Sequence, residues 1–167
     1  MRTRQIAFLG LMLSMVMVLV ILERMLPPLP FLPPNFGIGL SNIIIMYLLF
    51  FAGMRKALMM AVLKASFSLL IRGPISGVLS LSGGVASVVV VGIFAKIIGK
   101  TSYTTLSILG AVAHNAAQVV VASFLLDSQL LLIYYSPVLL VVGLITGSLT
   151  GVTMKVIMPI FSRLYKD

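Results

Sequence analysis

Long apolar segments alternate with short polar or charged stretches along the whole chain. A helix that crosses a membrane needs about 20 mostly apolar residues, because each residue adds about 1.5 Å against roughly 30 Å of hydrocarbon. This pattern predicts six spans: Gln5–Leu22, one within Phe36–Gly53, Ala57–Ile71 interrupted by Lys64, Val78–Ala95, Tyr103–Leu126 and Leu131–Ile157. The apolar runs are continuous rather than alternating, which favours helices over a β-barrel. We therefore expect an all-α membrane protein, a compact bundle of six transmembrane helices forming a single domain over residues 1–167.

The first apolar run follows two basic residues, Arg2 and Arg4, as in a secretory signal peptide. A signal peptide has an apolar core of about 7–15 residues and a small-residue cleavage site. Here the run is longer and has no such site, so we expect a retained helix.

Composition excludes several protein classes. Apolar residues make up 60% of the chain and charged residues only 9%, whereas soluble domains carry about 25% charge. This excludes a soluble enzyme, a disordered segment and a coiled coil. The net charge of +9 could indicate nucleic-acid binding, but the basic residues flank the spans instead of clustering on one face, so no nucleic-acid partner is expected.

The basic residues predict the orientation, because cytoplasmic loops are enriched in Lys and Arg. With the N-terminus in the cytoplasm, only Arg24 and Arg72 lie outside. The inner side then holds Arg2, Arg4, Arg55, Lys56, Lys96, Lys100, Lys155, Arg163 and Lys166. Both termini are therefore predicted to be cytoplasmic.

The longest connection, about residues 25–41, is predicted to be an outer loop. Five of the eight prolines lie in it, and proline fixes φ and removes a backbone donor, so the loop is expected to be stiff and non-helical. It is either a lid over a pocket or a connector lying at the membrane interface.

Two cations stand near or within the third span. Lys64 follows Lys56 by eight residues, about 12 Å along a helix, which places it near mid-membrane. A charge there is costly unless it faces a partner or a wet cavity. Arg72 lies two turns further along near the same face, and Glu23 is the best candidate partner. Either both cations face a cavity for an anionic or carbonyl-rich ligand, or Lys64 snorkels and Arg72 anchors the helix end.

The fifth span carries three polar side chains, His114, Asn115 and Gln118. His114 and Gln118 are four residues apart and share a helix face. Buried polar groups are costly unless they are hydrogen-bonded, so these side chains are expected to contact a ligand, to join helices, or both. Ser80–Gly84, with its paired glycines, is predicted to be an irregular opening of the fourth helix beside a cavity.

Small residues recur every three or four positions in two spans and would allow helices to approach closely. In the sixth span, Gly143, Gly147 and Gly151 indicate internal packing. In the first span, the stripe of small residues is either internal packing or a docking surface for another membrane protein; it consists of Ala7, Gly10 and Ser14.

The sequence has few residues that could bind a metal ion or a cofactor. The chain has no cysteine, a single histidine and three acidic residues far apart in sequence. Neither a metal site nor a bound cofactor is expected, and prenyl transfer, which normally needs clustered carboxylates holding magnesium, is not supported.

Taken together, these features resemble the substrate-binding S components of energy-coupling factor (ECF) transporters. Four segments are similar to the Gx transporter family, which is also labelled heptaprenyl diphosphate synthase component I: Gly37–Ile43, Lys64–Gly73, Ser80–Gly84 and Gly110–Gln118. The resemblance implies a non-enzymatic protein of the bacterial cytoplasmic membrane that binds a small vitamin-like or isoprenoid-related solute in a pocket open to the outer face. It also implies that the helix-one stripe contacts a transmembrane T subunit, which works with two cytoplasmic ATPases.

For this chain, the ligand would meet Lys64 and Arg72 through its charged end. Hydrogen bonds would come from Asn42, His114, Asn115 and Gln118. Two alternatives remain: an accessory subunit of polyprenyl diphosphate or quinone metabolism that binds a lipid-like chain, and a structural partner in a membrane redox complex.

Overall fold

The structure is a computed structural model that describes residues 2–25, 39–99 and 101–164, with side chains over 3–25, 39–99 and 101–159. Six helices account for nearly all of these residues, and no strand occurs among them. In chain order they are α1 (Arg2–Met25), α2 (Asn42–Ala52), α3 (Met54–Arg72), α4 (Pro74–Ile98), α5 (Tyr103–Leu125) and α6 (Leu130–Leu164). The predicted all-α architecture of six helices is confirmed.

Four of the helices are long and apolar enough to cross a membrane: Thr3–Met25, Pro74–Ile98, Tyr103–Leu125 and Leu130–Pro159. Large apolar side chains such as Ile6, Leu70 and Phe124 are exposed on the outside of the bundle, where lipid rather than water would cover them. The chain is a membrane protein.

The second helix is shorter than its predicted span. Helix α2 has 11 residues, which is about 16 Å at 1.5 Å per residue, and the predicted residues before 39 lie outside the described part of the chain. Most of the proline-rich loop, residues 26–38, is likewise outside it. The predicted lid or connector therefore stays a prediction.

Single glycines join α2 to α3 and α3 to α4. Gly53 and Gly73 both have φ of 92°, a region that only glycine enters without strain. Pro74 then occupies the first turn of α4, where its missing N–H is harmless. The prediction of an irregular opening at Ser80–Gly84 is wrong, because α4 starts six residues earlier and this segment lies inside the regular helix.

The apolar core has two parts. The larger cluster joins α1 to α2, α3 and α4 through residues such as Val16, Leu48 and Val88. A smaller cluster joins α4, α5 and α6, and consists of Leu79, Val119, Ala122 and Leu139. Besides the two apolar clusters, the helices bury polar side chains, including Lys64, His114 and Gln118.

The two small-residue stripes have different surroundings. A Cβ added at Gly147 would lie 2.5 Å from Ile108 Cα, and one at Gly143 would lie 3.1 Å from Asn115 Nδ2. The α6 stripe therefore packs closely against α5, as predicted. On α1, by contrast, Ala7, Gly10 and Ser14 are all exposed, and a Cβ at Gly10 would meet no described atom within 4 Å. Internal packing of the α1 stripe is excluded within the described chain.

Candidate functional site

The predicted polar residues line two small adjoining cavities inside the bundle. The cavity that we call the cationic chamber is lined in part by Lys64, Arg72, His114 and Gln118. The second, which we call the hydroxyl chamber, is lined in part by Asn42, His114, Asn115, Ser107, Thr146 and Thr150. Gly39 and His114 line both chambers, so His114 lies at the boundary between them.

Lys64 is the central charge of the cationic chamber. It lies in the middle of α3, is only 6% exposed, and its Nζ donates a hydrogen bond to Asn42 Oδ1 at 2.6 Å. Glu23 and Arg72 are both close enough to interact with it electrostatically. Because Lys64, Ser68 and Arg72 are spaced by four residues, they share one face of α3, and all three line this chamber.

The C-terminal end of α1 closes one side of the cationic chamber. Glu23 lines the chamber, and its Oε1 accepts a hydrogen bond from the Ser41 backbone N–H at 3.1 Å. The neighbouring Arg24 guanidinium donates to the carbonyl of Ile71 in the last turn of α3, where a cation also favours the helix dipole. The expected proximity of Glu23 to Lys64 is present, and α1 is tied to the elements that carry the site.

His114 is buried, with 4% of its surface exposed. A Cβ added at Gly83 would lie 2.7 Å from His114 Nδ1, 2.7 Å from Cε1 and 2.8 Å from Nε2. These nearly equal distances show that the imidazole lies with its face against Gly83. Its Nδ1 has no hydrogen-bond partner among the described residues.

Both amide side chains of α5 bond to neighbouring helices. Asn115 Nδ2 donates to the Leu139 carbonyl of α6 at 2.8 Å, and Gln118 Nε2 donates to the Leu79 carbonyl of α4 at 3.3 Å. The oxygen Oε1 of Gln118 has no partner in the described part of the chain. The two expectations for these residues are therefore compatible, since each side chain joins helices and also lines a chamber.

All six residues predicted to bind substrate thus meet at this pair of chambers. Ser80, from the segment predicted to lie beside a cavity, does line the cationic chamber. Sequence reasoning missed the other hydroxyl groups that complete the lining, on Ser68, Ser76, Ser87, Ser107, Thr146 and Thr150. Thr146 and Thr150 bond to the carbonyl four residues earlier, and a hydroxyl bonded in this way costs little in a membrane helix, so these two threonines carried no signal. The contact between Gly83 and the His114 ring was also not predicted from the sequence and is seen only in the structure.

Each chamber encloses about 20 Å³, enough for about one water molecule. Among the described residues, no three His, Asp or Glu side chains come together in a way that could hold a metal ion. The described lining residues of the two chambers offer one carboxylate, two cations and a set of neutral hydrogen-bonding groups. They can neutralise and orient a small polar group.

The comparisons with known proteins identify the family. The family model for heptaprenyl diphosphate synthase component I matches residues 12–157, which include all six predicted site residues and most of the helical bundle. No curated protein and no solved structure gives a significant match. The match to the family model covers well over half of the chain, and the protein therefore belongs to the heptaprenyl diphosphate synthase component I family.

Proposed function

We propose that the protein is the membrane-embedded substrate-binding component of an ECF-type importer for a small anionic solute, vitamin-like or isoprenoid-related. The observation that carries this proposal is the meeting of Lys64, Arg72, His114 and Gln118 in one buried chamber. A bundle that needed only stability would not retain such a cluster, because ionisable groups within a membrane are costly.

The buried ammonium of Lys64 favours an anion as the ligand. Lys64 is buried in the cationic chamber, its Nζ donates to a neutral acceptor, Asn42 Oδ1, and Glu23 is the carboxylate among the described lining residues. A buried ammonium is unfavourable in a low-dielectric interior, and an anionic group placed beside Lys64 would stabilise it. We infer that such a group binds close to the Lys64 ammonium.

The proposed orientation puts both termini in the cytoplasm and the cationic chamber toward the outer face. This rests on the distribution of Lys and Arg, since inner loops are the basic ones. The ends of α1 and α3, marked by Arg24 and Arg72, then lie on the outer side. A solute from outside would reach the chamber without crossing the bundle.

The exposed α1 stripe supports a partner in the membrane. Ala7, Gly10 and Ser14 leave one face of α1 uncovered, and small residues allow a second helix to come close. We propose that this face meets a transmembrane T subunit, which two cytoplasmic ATPases drive. In this scheme the chain binds substrate and has no catalytic activity of its own.

The test compares the ligands that are retained by the natural protein and by two lysine variants. Protein purified in mild detergent from its native membranes is examined by native mass spectrometry. We expect a small anion on the natural protein, loss of it in Lys64→Met, and retention in Lys96→Met, an exposed lysine that serves as the control. An unchanged bound species in Lys64→Met, or none on the natural protein, would refute the proposal.

The partner surface has its own test. Gly10→Leu would fill the stripe and is expected to abolish co-purification of the T subunit and ATPases. Met15→Leu, an exposed position elsewhere on α1, should leave it intact. If both variants retain the partners equally, the α1 stripe is not the contact.

The family name favours a second candidate, an accessory membrane subunit for polyprenyl diphosphate synthesis. A diphosphate is an anion that Lys64 and Arg72 would also attract. The same mass spectra separate the two functions, because a polyprenyl diphosphate is recovered in the organic extract of the protein and a water-soluble vitamin-like solute is not.

A further inference from the structure

The described lining of the hydroxyl chamber, unlike that of the cationic chamber, contains no Lys, Arg, Asp or Glu. Its lining includes Ser107 and Asn115 of α5 and Thr146 and Thr150 of α6, together with Asn42 of α2 and Ser87 of α4. These side chains are neutral, so their hydrogen atoms and lone pairs decide what the chamber can bind.

Two of these side chains have committed their only hydrogen elsewhere, and a third, the Asn115 amide, has committed one of its two. The Thr146 hydroxyl donates to the Val142 carbonyl at 2.9 Å, and that of Thr150 donates to the Thr146 carbonyl at 2.8 Å. The Asn115 amide donates to α6 at 2.8 Å. A hydroxyl has only one hydrogen, and an amide oxygen has none, so the oxygens of these three residues remain as acceptors.

Two further polar atoms at the chamber have no partner among the described residues. They are Ser107 Oγ, on a residue 1% exposed, and His114 Nδ1, on a residue 4% exposed. Buried polar atoms normally find a partner. Both belong to side chains that line the hydroxyl chamber, so a group entering it could satisfy them.

We infer that the ligand carries two kinds of polar group. An anionic group lies beside Lys64, and an N–H donor of the same molecule enters the hydroxyl chamber. This deepens the proposed function and rests on it. Gly39 and His114 line both chambers, so the two groups of the ligand would lie on either side of His114. A volume of about 20 Å³ admits one N–H group, and a hydrocarbon chain would leave the acceptors unsatisfied.

Two probes that differ only at nitrogen test the inference on the full chain in detergent. Orotate carries a carboxylate and two ring N–H groups, and 1,3-dimethylorotate has the same carboxylate with both N–H groups methylated. By isothermal titration calorimetry we expect orotate to bind at least about tenfold more tightly, because methylation leaves the acceptors unpaired.

A matched pair of variants locates the effect. Thr146→Val has nearly the same shape but lacks the acceptor oxygen, so the preference for orotate should fall to about onefold to threefold. Thr153→Val is the control, because the Thr153 hydroxyl makes the same bond to its own helix, to Leu149 at 2.8 Å, away from the chamber. It should keep the full preference.

The outcomes separate this inference from the proposed function. Equal binding of the two probes, no binding of orotate, or an unchanged preference in Thr146→Val would overturn the inference. The proposed function would survive these results if the natural protein still carried an anion that Lys64→Met loses. A preference that is lost in Thr146→Val and kept in Thr153→Val would support the inference.

Discussion

The close approach of α5 and α6 at Gly147 should make this position intolerant of even one methyl group. A Cβ there would lie 2.5 Å from Ile108 Cα, 3.0 Å from Ile108 N and 3.0 Å from Ser107 O. All three atoms belong to the backbone, so no side chain can rotate away. To restore an ordinary contact of about 3.4 Å, the two helices must part by roughly 1 Å.

The expected cost of Gly147→Ala follows from two opposing terms. Overpacking a tight interface costs about 1–3 kcal/mol, and the backbone clash places this site at the upper end. Alanine in a helix recovers about 0.5–1 kcal/mol relative to glycine. The net prediction is a loss of about 2 kcal/mol in the free energy of unfolding.

Two other glycines provide graded controls for the same substitution. At Gly143 the nearest atoms to a Cβ are at 3.1 and 3.4 Å, and at Gly10 there are none within 4 Å. Gly143→Ala should therefore cost less than about 1 kcal/mol, and Gly10→Ala should be neutral or stabilising by up to about 1 kcal/mol.

The assay is unfolding in mixed micelles by increasing dodecyl sulfate, followed by circular dichroism. We expect the order of stability to be Gly10→Ala, then Gly143→Ala, then Gly147→Ala. If Gly147→Ala proves as stable as Gly10→Ala, then α5 and α6 do not meet at this glycine, and the walls assigned to the hydroxyl chamber are wrong.

Three more predictions concern the site and its orientation. A double-mutant cycle with Asn42→Ala and Lys64→Met should give a coupling of about 1.5–3 kcal/mol in unfolding free energy, because the 2.6 Å bond joins a buried charge to its acceptor; additive effects would contradict it. Gly83→Ala should destabilise by about 1–3 kcal/mol through its clash with the imidazole, and by much less in a His114→Ala background. The chain has no cysteine, so Gln129→Cys, between α5 and α6, should react with an impermeant maleimide added outside intact cells; labelling only after lysis would reverse the proposed orientation.

The helices and several site residues could be predicted because their signals are local. A long apolar run, a lysine inside it and three polar residues within five positions of α5 each carry an energetic cost or gain that is independent of the rest of the chain. The prediction failed at Ser80–Gly84, where the paired glycines were taken as an irregular opening of the helix. Their role is instead to let His114 and Ala61 pack against α4, and this depends on neighbours distant in sequence.

Composition and apolar run length alone were sufficient to place this chain in a membrane as a helical bundle, since hydrocarbon accepts a backbone only when its hydrogen bonds are made internally. They could not show which face of each helix turns inward, because periodicity is weak when nearly every position is apolar. Only the packed structure placed Lys64 against Asn42, exposed the α1 stripe and brought Thr146 and Thr150 to the same cavity as Asn115. Those arrangements depend on close contacts between helices, and such contacts are a property of the three-dimensional bundle.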